Sequence, residues 1–179
     1  MKVELELLEG EELYERVIRE TVLRARRNVW IATANVKDCR VEVDGEFRSI
    51  VEAFERLCHR GVEVRLLHAG IPSAAFLDSL KRTGLPRHPN FGMRRCPRVH
   101  FKAVLVDDAH LHVGSANLTG AGLGAKGAKR RNFELGIVSA DREMFDRVAR
   151  LFHRIWEGGV CPDCGRARVC PVPLEEPDL

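Results

Sequence analysis

The sequence predicts an α/β sandwich, a mixed sheet with helices on both faces. Short apolar, β-branched runs recur along the chain, and segments with apolar residues at i, i+3, i+4 and i+7 stand between them. Such alternation buries a sheet on both sides. The 179 residues suit one domain with a sizeable core and a short appendage.

Residues 11–26 carry Leu13, Val17, Ile18, Val22 and Leu23 at helical spacing, with acids early and arginines late, as a helix dipole favours. Residues 29–36 are short, apolar and β-branched, which predicts a buried strand. Phe47, Ile50, Val51, Phe54, Leu57 and Cys58 predict the next helix, and Gly61 its stop before a strand over 62–68. A short helix over 73–82 precedes a Gly-, Pro- and Arg-rich loop over 83–98. Residues 99–107 and 111–115 read as two strands joined by a tight turn, and 133–139 as another. Between them, residues 120–129 hold Gly120, Gly122, Gly124 and Gly127 and predict a mobile loop. The final helix, 142–156, has Asp141 as N-cap and Gly158-Gly159 as terminator. The boundaries that follow are a catalytic-size domain over 1–157 and a Cys-rich tail over 158–179.

The hydrophobic fraction of 45% and charged fraction of 31% are those of a soluble globular protein, and no apolar run is long enough to span a bilayer. The N-terminus alternates acidic and apolar residues and so does not resemble a secretory signal. A cytoplasmic protein without membrane contact is expected. The net charge of +3 argues little by itself, but its distribution is informative. Residues 79–99 contain Lys81, Arg82, Arg87, Arg94, Arg95 and Arg98 and no acid, and Lys126, Lys129, Arg130 and Arg131 form a second basic run. Solvated loops are one reading; a track for a phosphate backbone is the other.

Between these runs lies the pattern H-x-K-x4-D-x6-G-S-x-N, at His100, Lys102, Asp107, Gly114, Ser115 and Asn117. A random match to six positions at fixed spacing is on the order of one in a hundred million per starting point. Residues two apart on a strand share a face, so His100 and Lys102 project into one site. A neutral imidazole can attack phosphorus, while an ammonium and an amide hold the equatorial oxygens that gain charge in the transition state. Ser115 adds a hydroxyl donor or orients Asn117, and Gly114 lets the backbone approach a ligand closely.

This pattern resembles the signature of the phospholipase D superfamily, in its small, single-motif, nuclease-like branch, and the resemblance extends over most of the chain. It implies the α/β/α sandwich of that family and a reaction without a catalytic metal. One histidine forms a phosphohistidine with the phosphodiester, a second from another motif copy protonates the leaving oxygen, and water completes hydrolysis. Carried over, His100 is nucleophile or general acid, Lys102 and Asn117 clamp the phosphate, and Asp107 is a structural, charge-balancing member. Asn132-Phe133-Glu134 supplies the family's acid, so Glu134 is expected to orient the imidazole. His110 and His112 fall in the free spacer and are expected to be surface or packing residues.

The motif occurs once, whereas the implied mechanism needs two histidines. A homodimer sharing one active site supplies the second. Basic loops around the motif favour nucleic acid, DNA or RNA, as the phosphodiester, with Arg94, Arg95, Arg98, Lys126, Lys129, Arg130 and Arg131 as binding residues. The alternatives are a phospholipase or phosphatidyl transferase, and a module that binds nucleic acid with little or no cleavage.

The tail contains Cys161-Pro-Asp-Cys164-Gly and then Cys170-Pro. A CPxCG turn is a familiar zinc half-site, and a structural site needs four ligands. Cys161, Cys164 and Cys170 supply three, and either Cys96 or His153 the fourth, with Cys96 preferred for its similar Cys-Pro setting. Reduced thiols or a disulfide are the competing readings.

Overall fold

A computed structural model of the chain describes residues 3–174. Its main sheet has seven strands: β1 (Glu6–Glu9), β2 (Asn28–Thr33), β5 (Glu63–His68), β6 (Phe91–Arg95), β7 (Lys102–Val106), β8 (His110–Gly114) and β9 (Leu135–Ser139). Two more, β3 (Arg40–Val43) and β4 (Glu46–Ser49), form a separate hairpin. The order across the main sheet is β1-β9-β8-β7-β2-β5-β6. Strands β2, β5 and β6 are parallel and are joined through α1 (Ile50–His59) and α2 (Ala74–Arg82), as parallel neighbours require. The rest pair antiparallel: β7 and β8 are joined by a tight turn, whereas β1 with β9 and β2 with β7 pair across long stretches of sequence.

Alternation along the strands divides the core. Val29, Ile31, Val64, Leu66, Val104 and Val106 face α1, α2 and a π-helical segment, Leu13–Arg19. Ala32, Leu67, Ala103, Leu105 and Leu111 face the opposite way, onto α3 (Arg142–Trp156). Helices therefore cover both faces of a mixed sheet, as the periodicity implies. The α3 boundaries are as expected, and the Asp141 carboxylate caps Met144 N at 2.8 Å.

Elsewhere tertiary pairing moved the boundaries. The expected helix over 11–26 is the π-helical segment followed by a 3₁₀ turn, Val22–Arg24. Glu20 N bonds to Glu15 O, five residues back, which stacks residues five apart and buries both Leu13 and Ile18. The helix expected from Phe47 starts at Ile50, where Ser49 Oγ accepts from Val51 N at 3.1 Å. Phe47 belongs instead to β4, because Asp44-Gly45, both at positive φ, close a hairpin there. The expected loop over 83–98 contains β6, held by parallel pairing to β5. The edge strand β1 uses the acidic-apolar alternation of the N-terminus, burying Leu8.

The glycine-rich stretch is not an open loop throughout. Gly122, Leu123 and Gly124 are buried. Gly124, at φ +72°, lies so close to Gly10 O that a Cβ would collide with it. Only residues 126–130 are continuously exposed.

Candidate active site

The motif residues, Asp107 excepted, meet at one edge of the sheet, at the carboxyl end of β2 and β5, where ligands of open α/β sheets commonly bind. Strands β7 and β9 start there, and β8 ends there, because both run antiparallel to β8. Lys102 is the first residue of β7 and pairs with Gly114, the last of β8. His100 stands two residues before β7, exposed, and its imidazole has no hydrogen-bond partner among the described residues. Lys102 Nζ donates to the His100 carbonyl at 2.7 Å, which keeps the ammonium beside the imidazole-bearing residue.

Asn117 is held by a backbone cradle. Its Oδ1 accepts from Ala34 N at 3.2 Å and Asn35 N at 3.0 Å, with Thr33 Oγ1 at 3.3 Å. Because backbone donors claim the oxygen, the Nδ2 group is the one left to donate elsewhere. Thr33 Oγ1 also accepts from Leu118 N at 3.0 Å, locking the chain on the far side of Asn117. These contacts span more than eighty residues, and nothing in the spacing signals them.

Glu134 lies just before β9. Its carboxylate accepts a short hydrogen bond from Ser115 Oγ and a 3.1 Å bond from Asn132 Nδ2. Ser115 Oγ in turn accepts from Leu135 N at 3.1 Å. Glu134 thus fixes Ser115 and the start of β9, and makes no hydrogen bond to His100. Gly114 is required here, since a Cβ would come within 2.6 Å of Leu135 O and 2.8 Å of the Gly136 Cα.

Asp107 is elsewhere. It sits at the other end of β7, five residues at about 3.3 Å each from Lys102. Its carboxylate accepts from Arg26 N, Arg27 N and Asn28 N at 2.7–3.2 Å. Its role is to anchor the entry to β2, not to meet a ligand beside His100. Asp107 and Asp108 both have φ 55°, closing the β7–β8 turn in the left-handed region that Asp tolerates.

The remaining histidines do not reach the site's open side. His112 is 3% exposed; its Nδ1 pairs with Ile137 O at 3.1 Å, and burial pushes its pKa down to about 4. The ring packs on Gly136, where a Cβ would overlap it. His68, fully buried, bonds Gly70 O at 2.9 Å, and burial likewise lowers its pKa to about 4. His110 is exposed at the turn end of β8. His153 packs edge-on against Trp30 and contacts Arg65.

The basic residues divide into two groups. Arg94 donates to Trp156 O and lies over its ring at 4.8 Å, Arg95 Nε donates to Ala69 O at 2.9 Å, and Arg131 pairs with Glu11 at 3.1 Å. These three are taken up by the fold. Arg98 Nη1 donates to Cys164 Sγ at 3.4 Å. Lys126, Lys129 and Arg130 are exposed and form no ion pair among the described residues. Their loop starts from the site and returns to it. A Cβ at Gly122 would meet Asn117 O at 2.7 Å, and Asn132 N donates to Ala121 O at 3.0 Å.

Among the described residues no three His, Cys, Asp or Glu side chains form a group able to hold a metal ion, so Cys96, Cys161, Cys164 and Cys170 make no closed ligand set. Among the same residues no helix is long and apolar enough to cross a membrane.

Residues 18–156 match the family model described as "Cardiolipin synthase, PLD-like domain". Cardiolipin synthase A of Pseudomonas putida is 29% identical over 150 residues, 77% of this chain but 27% of the relative, so the chain spans about a quarter of that protein. Among solved structures, NucT from Helicobacter pylori superposes with TM-score 0.63 at 16% identity, covering 87% of this chain and 97% of NucT. Nuc from Salmonella typhimurium, a phospholipase D family member, gives 0.60 at 15%, covering 86% and 95%. TrmBL2, an archaeal chromatin protein with a novel mode of DNA binding, gives 0.56 at 13%, covering 88% of this chain and 54% of that one. The family match extends from the π-helical segment to the end of α3 and takes in every motif residue from His100 to Glu134, and on that ground the chain belongs to the phospholipase D superfamily.

Proposed function

We propose that this chain is a phosphodiesterase acting on nucleic acid, with one active site shared between two copies. The observation that carries the reading is the exposed imidazole of His100, without a hydrogen-bond partner among the described residues, beside Lys102 and at the same sheet edge as an asparagine whose amide nitrogen is left to donate. Neutral His100 attacks phosphorus, forming a P–N bond as the bond to the leaving oxygen breaks. Lys102 Nζ and Asn117 Nδ2 hold the non-bridging oxygens, whose charge grows in the transition state. His100 of a second copy gives its proton to the leaving oxygen. Water, deprotonated by that same histidine, then breaks the P–N bond and frees the product. No metal is needed for either step.

The motif supplies one histidine per chain. His112 and His68 are buried and held neutral down to about pH 4, so neither can donate a proton to a bound substrate near neutrality. Two-fold symmetry brings a second His100 at no cost in sequence. Lys126, Lys129 and Arg130, exposed and without an ion pair among the described residues, lie on a loop anchored at both ends beside Asn117 and Glu134 and suit a polyanion. Two solved structures of similar fold are covered almost completely by this chain, which supports a small, single-motif unit.

Two competing readings each rest on an observation. The family's description and Leu7, Phe133 and Leu135, exposed around Glu134, favour a phospholipid substrate. The similarity to TrmBL2, a chromatin protein with a novel mode of DNA binding, suits the reading of a nucleic-acid-binding module. Labelled single- and double-stranded DNA and RNA in EDTA separate them. Cleavage that His100→Ala abolishes supports the proposal, whereas salt-dependent binding without cleavage, or head-group release from phosphatidyl lipid vesicles alone, overturns it. Mixing wild-type and His100→Ala chains under subunit exchange tests the sharing: heterodimers with full turnover per remaining histidine would refute it.

A further inference from the structure

The tail after α3 half-buries Val160, Val172 and Leu174 and, between them, its cysteines. Within residues 161–170 the cysteines Cys161, Cys164 and Cys170 are the only half-buried residues, and the others are exposed, Val169 at 76%. The segment has no helix or strand. It is a chain of tight turns, with Cys161 N on Gly158 O, Cys164 N on Cys161 O and Ala167 N on Cys164 O, all at 2.9–3.1 Å. The second turn brings the two cysteines of the Cys-Pro-Asp-Cys-Gly run onto one side.

All three face a cavity of about 560 Å³, and a fourth thiol lines the same cavity: Cys96, in the link between β6 and β7. Cys96 is pinned at both backbone groups, its N–H on His68 O at 2.8 Å and its carbonyl accepting from Val99 N at 2.9 Å. Arg98, two residues on, already reaches across to Cys164 Sγ at 3.4 Å. The two other cysteines, Cys39 and Cys58, are buried in the main core and take no part.

We propose that Cys96, Cys161, Cys164 and Cys170 close around one zinc ion in this cavity, stapling the tail to the link that leads into His100. The four cysteines line one cavity without forming a ligand set among the described residues, so zinc binding requires the tail to close on the ion. Four thiols release four protons as four Zn–S bonds form, leaving a tetrathiolate of net charge −2. Arg98 is already placed to donate to one of its sulfurs. Four sulfur ligands leave no open position, so the ion is structural. A segment whose cysteines are half-buried while its valine is exposed suits folding around a metal rather than around a core. The claim stands apart from the reaction proposed for His100.

Metal content of the purified full-length chain, expressed with zinc in the medium, tests it. One zinc per chain is expected, with all four thiols resisting alkylation until a chelator is added. Cys96→Ser, Cys161→Ser, Cys164→Ser and Cys170→Ser each lower the zinc at least tenfold, whereas Cys58→Ala keeps it. Cobalt added to the apo wild type gives the spectrum of a tetrahedral tetrathiolate, a readout that needs no variant to fold. Four freely alkylated thiols with no zinc taken up from added zinc salt would refute the site. So would an intact mass two hydrogens low, showing a disulfide, or full zinc retention by a folded Cys96→Ser chain.

Discussion

The two ends of the β7–β8 hairpin carry residues of one sequence motif and use them in opposite ways. At the turn end, Asp107 accepts three backbone amides, and Asp108 accepts from Asn28 Nδ2 at 2.8 Å. Both carboxylates of the turn are taken up in joining it to the start of β2. At the open end, Asn117 Oδ1 and the Glu134 carboxylate are consumed in the same manner, yet the Asn117 Nδ2 and the His100 imidazole are not. A fold that positions a group by one of its atoms leaves the other atom for a ligand. Two histidines repeat the contrast: His112 is buried on β8 against Gly136, and His100 is exposed just ahead of β7.

The comparison can be broken first at His100. Replacement by Ala should lower phosphodiester cleavage by about 10³-fold or more while leaving the urea midpoint within error, because the imidazole is exposed and makes no hydrogen bond among the described residues. Activity assays beside equilibrium unfolding check both halves. Asp107→Ala should do the reverse. Leaving three amides without their acceptor should cost about 2–4 kcal/mol of unfolding free energy, with cleavage per folded molecule changed less than about threefold. A large loss of turnover in folded protein would place Asp107 in the chemistry after all.

A third prediction concerns the buried histidine. The folded-state pKa of His112 is lowered to about 4, so the unfolded chain binds its proton first as pH falls below the ordinary value near 6.5. Stability contributed by the neutral, buried ring is therefore full above about pH 6.5 and is lost as pH falls toward 4. Unfolding free energies at pH 7 and 4.5 should differ by about 1–3 kcal/mol less in His112→Asn than in wild type. His68 maintains the remaining dependence. The smallest effect belongs to the exposed loop. Removing Lys126, Lys129 and Arg130 together should weaken nucleic-acid binding roughly tenfold and reduce the salt slope by about 2–3, with no change in stability. An unchanged slope would show that the loop does not meet phosphates.

Much of the fold was legible because its signals are local. The α3 stripe of Phe145, Phe152 and Trp156 lies on one side of a helix between its own cap and its own glycine stop. The strands of the motif, and the site at their shared end, follow from apolar runs and fixed spacing. What escaped were elements whose partners lie far along the chain. Strand β6, Phe91–Arg95, reads as loop because its ordering comes from β5. The Arg94, Arg95 and Arg131 charges read as a free basic track, but the guanidinium groups are occupied by Trp156, Ala69 and Glu11. The Asp44-Gly45 turn was the one local signal that would have found β3 and β4.

By itself, then, the sequence determined the superfamily, the α/β layering and the identity of the groups at the site, because side-chain chemistry and strand periodicity are properties of neighbouring residues. The tertiary structure decided which of those groups stay available. Hydrogen-bond capacity is finite, and only long-range contacts reveal that Asp107 has committed its carboxylate to the entry to β2, that Asn117 has spent its oxygen on Ala34 and Asn35, and that the His100 imidazole has no hydrogen-bond partner among the described residues.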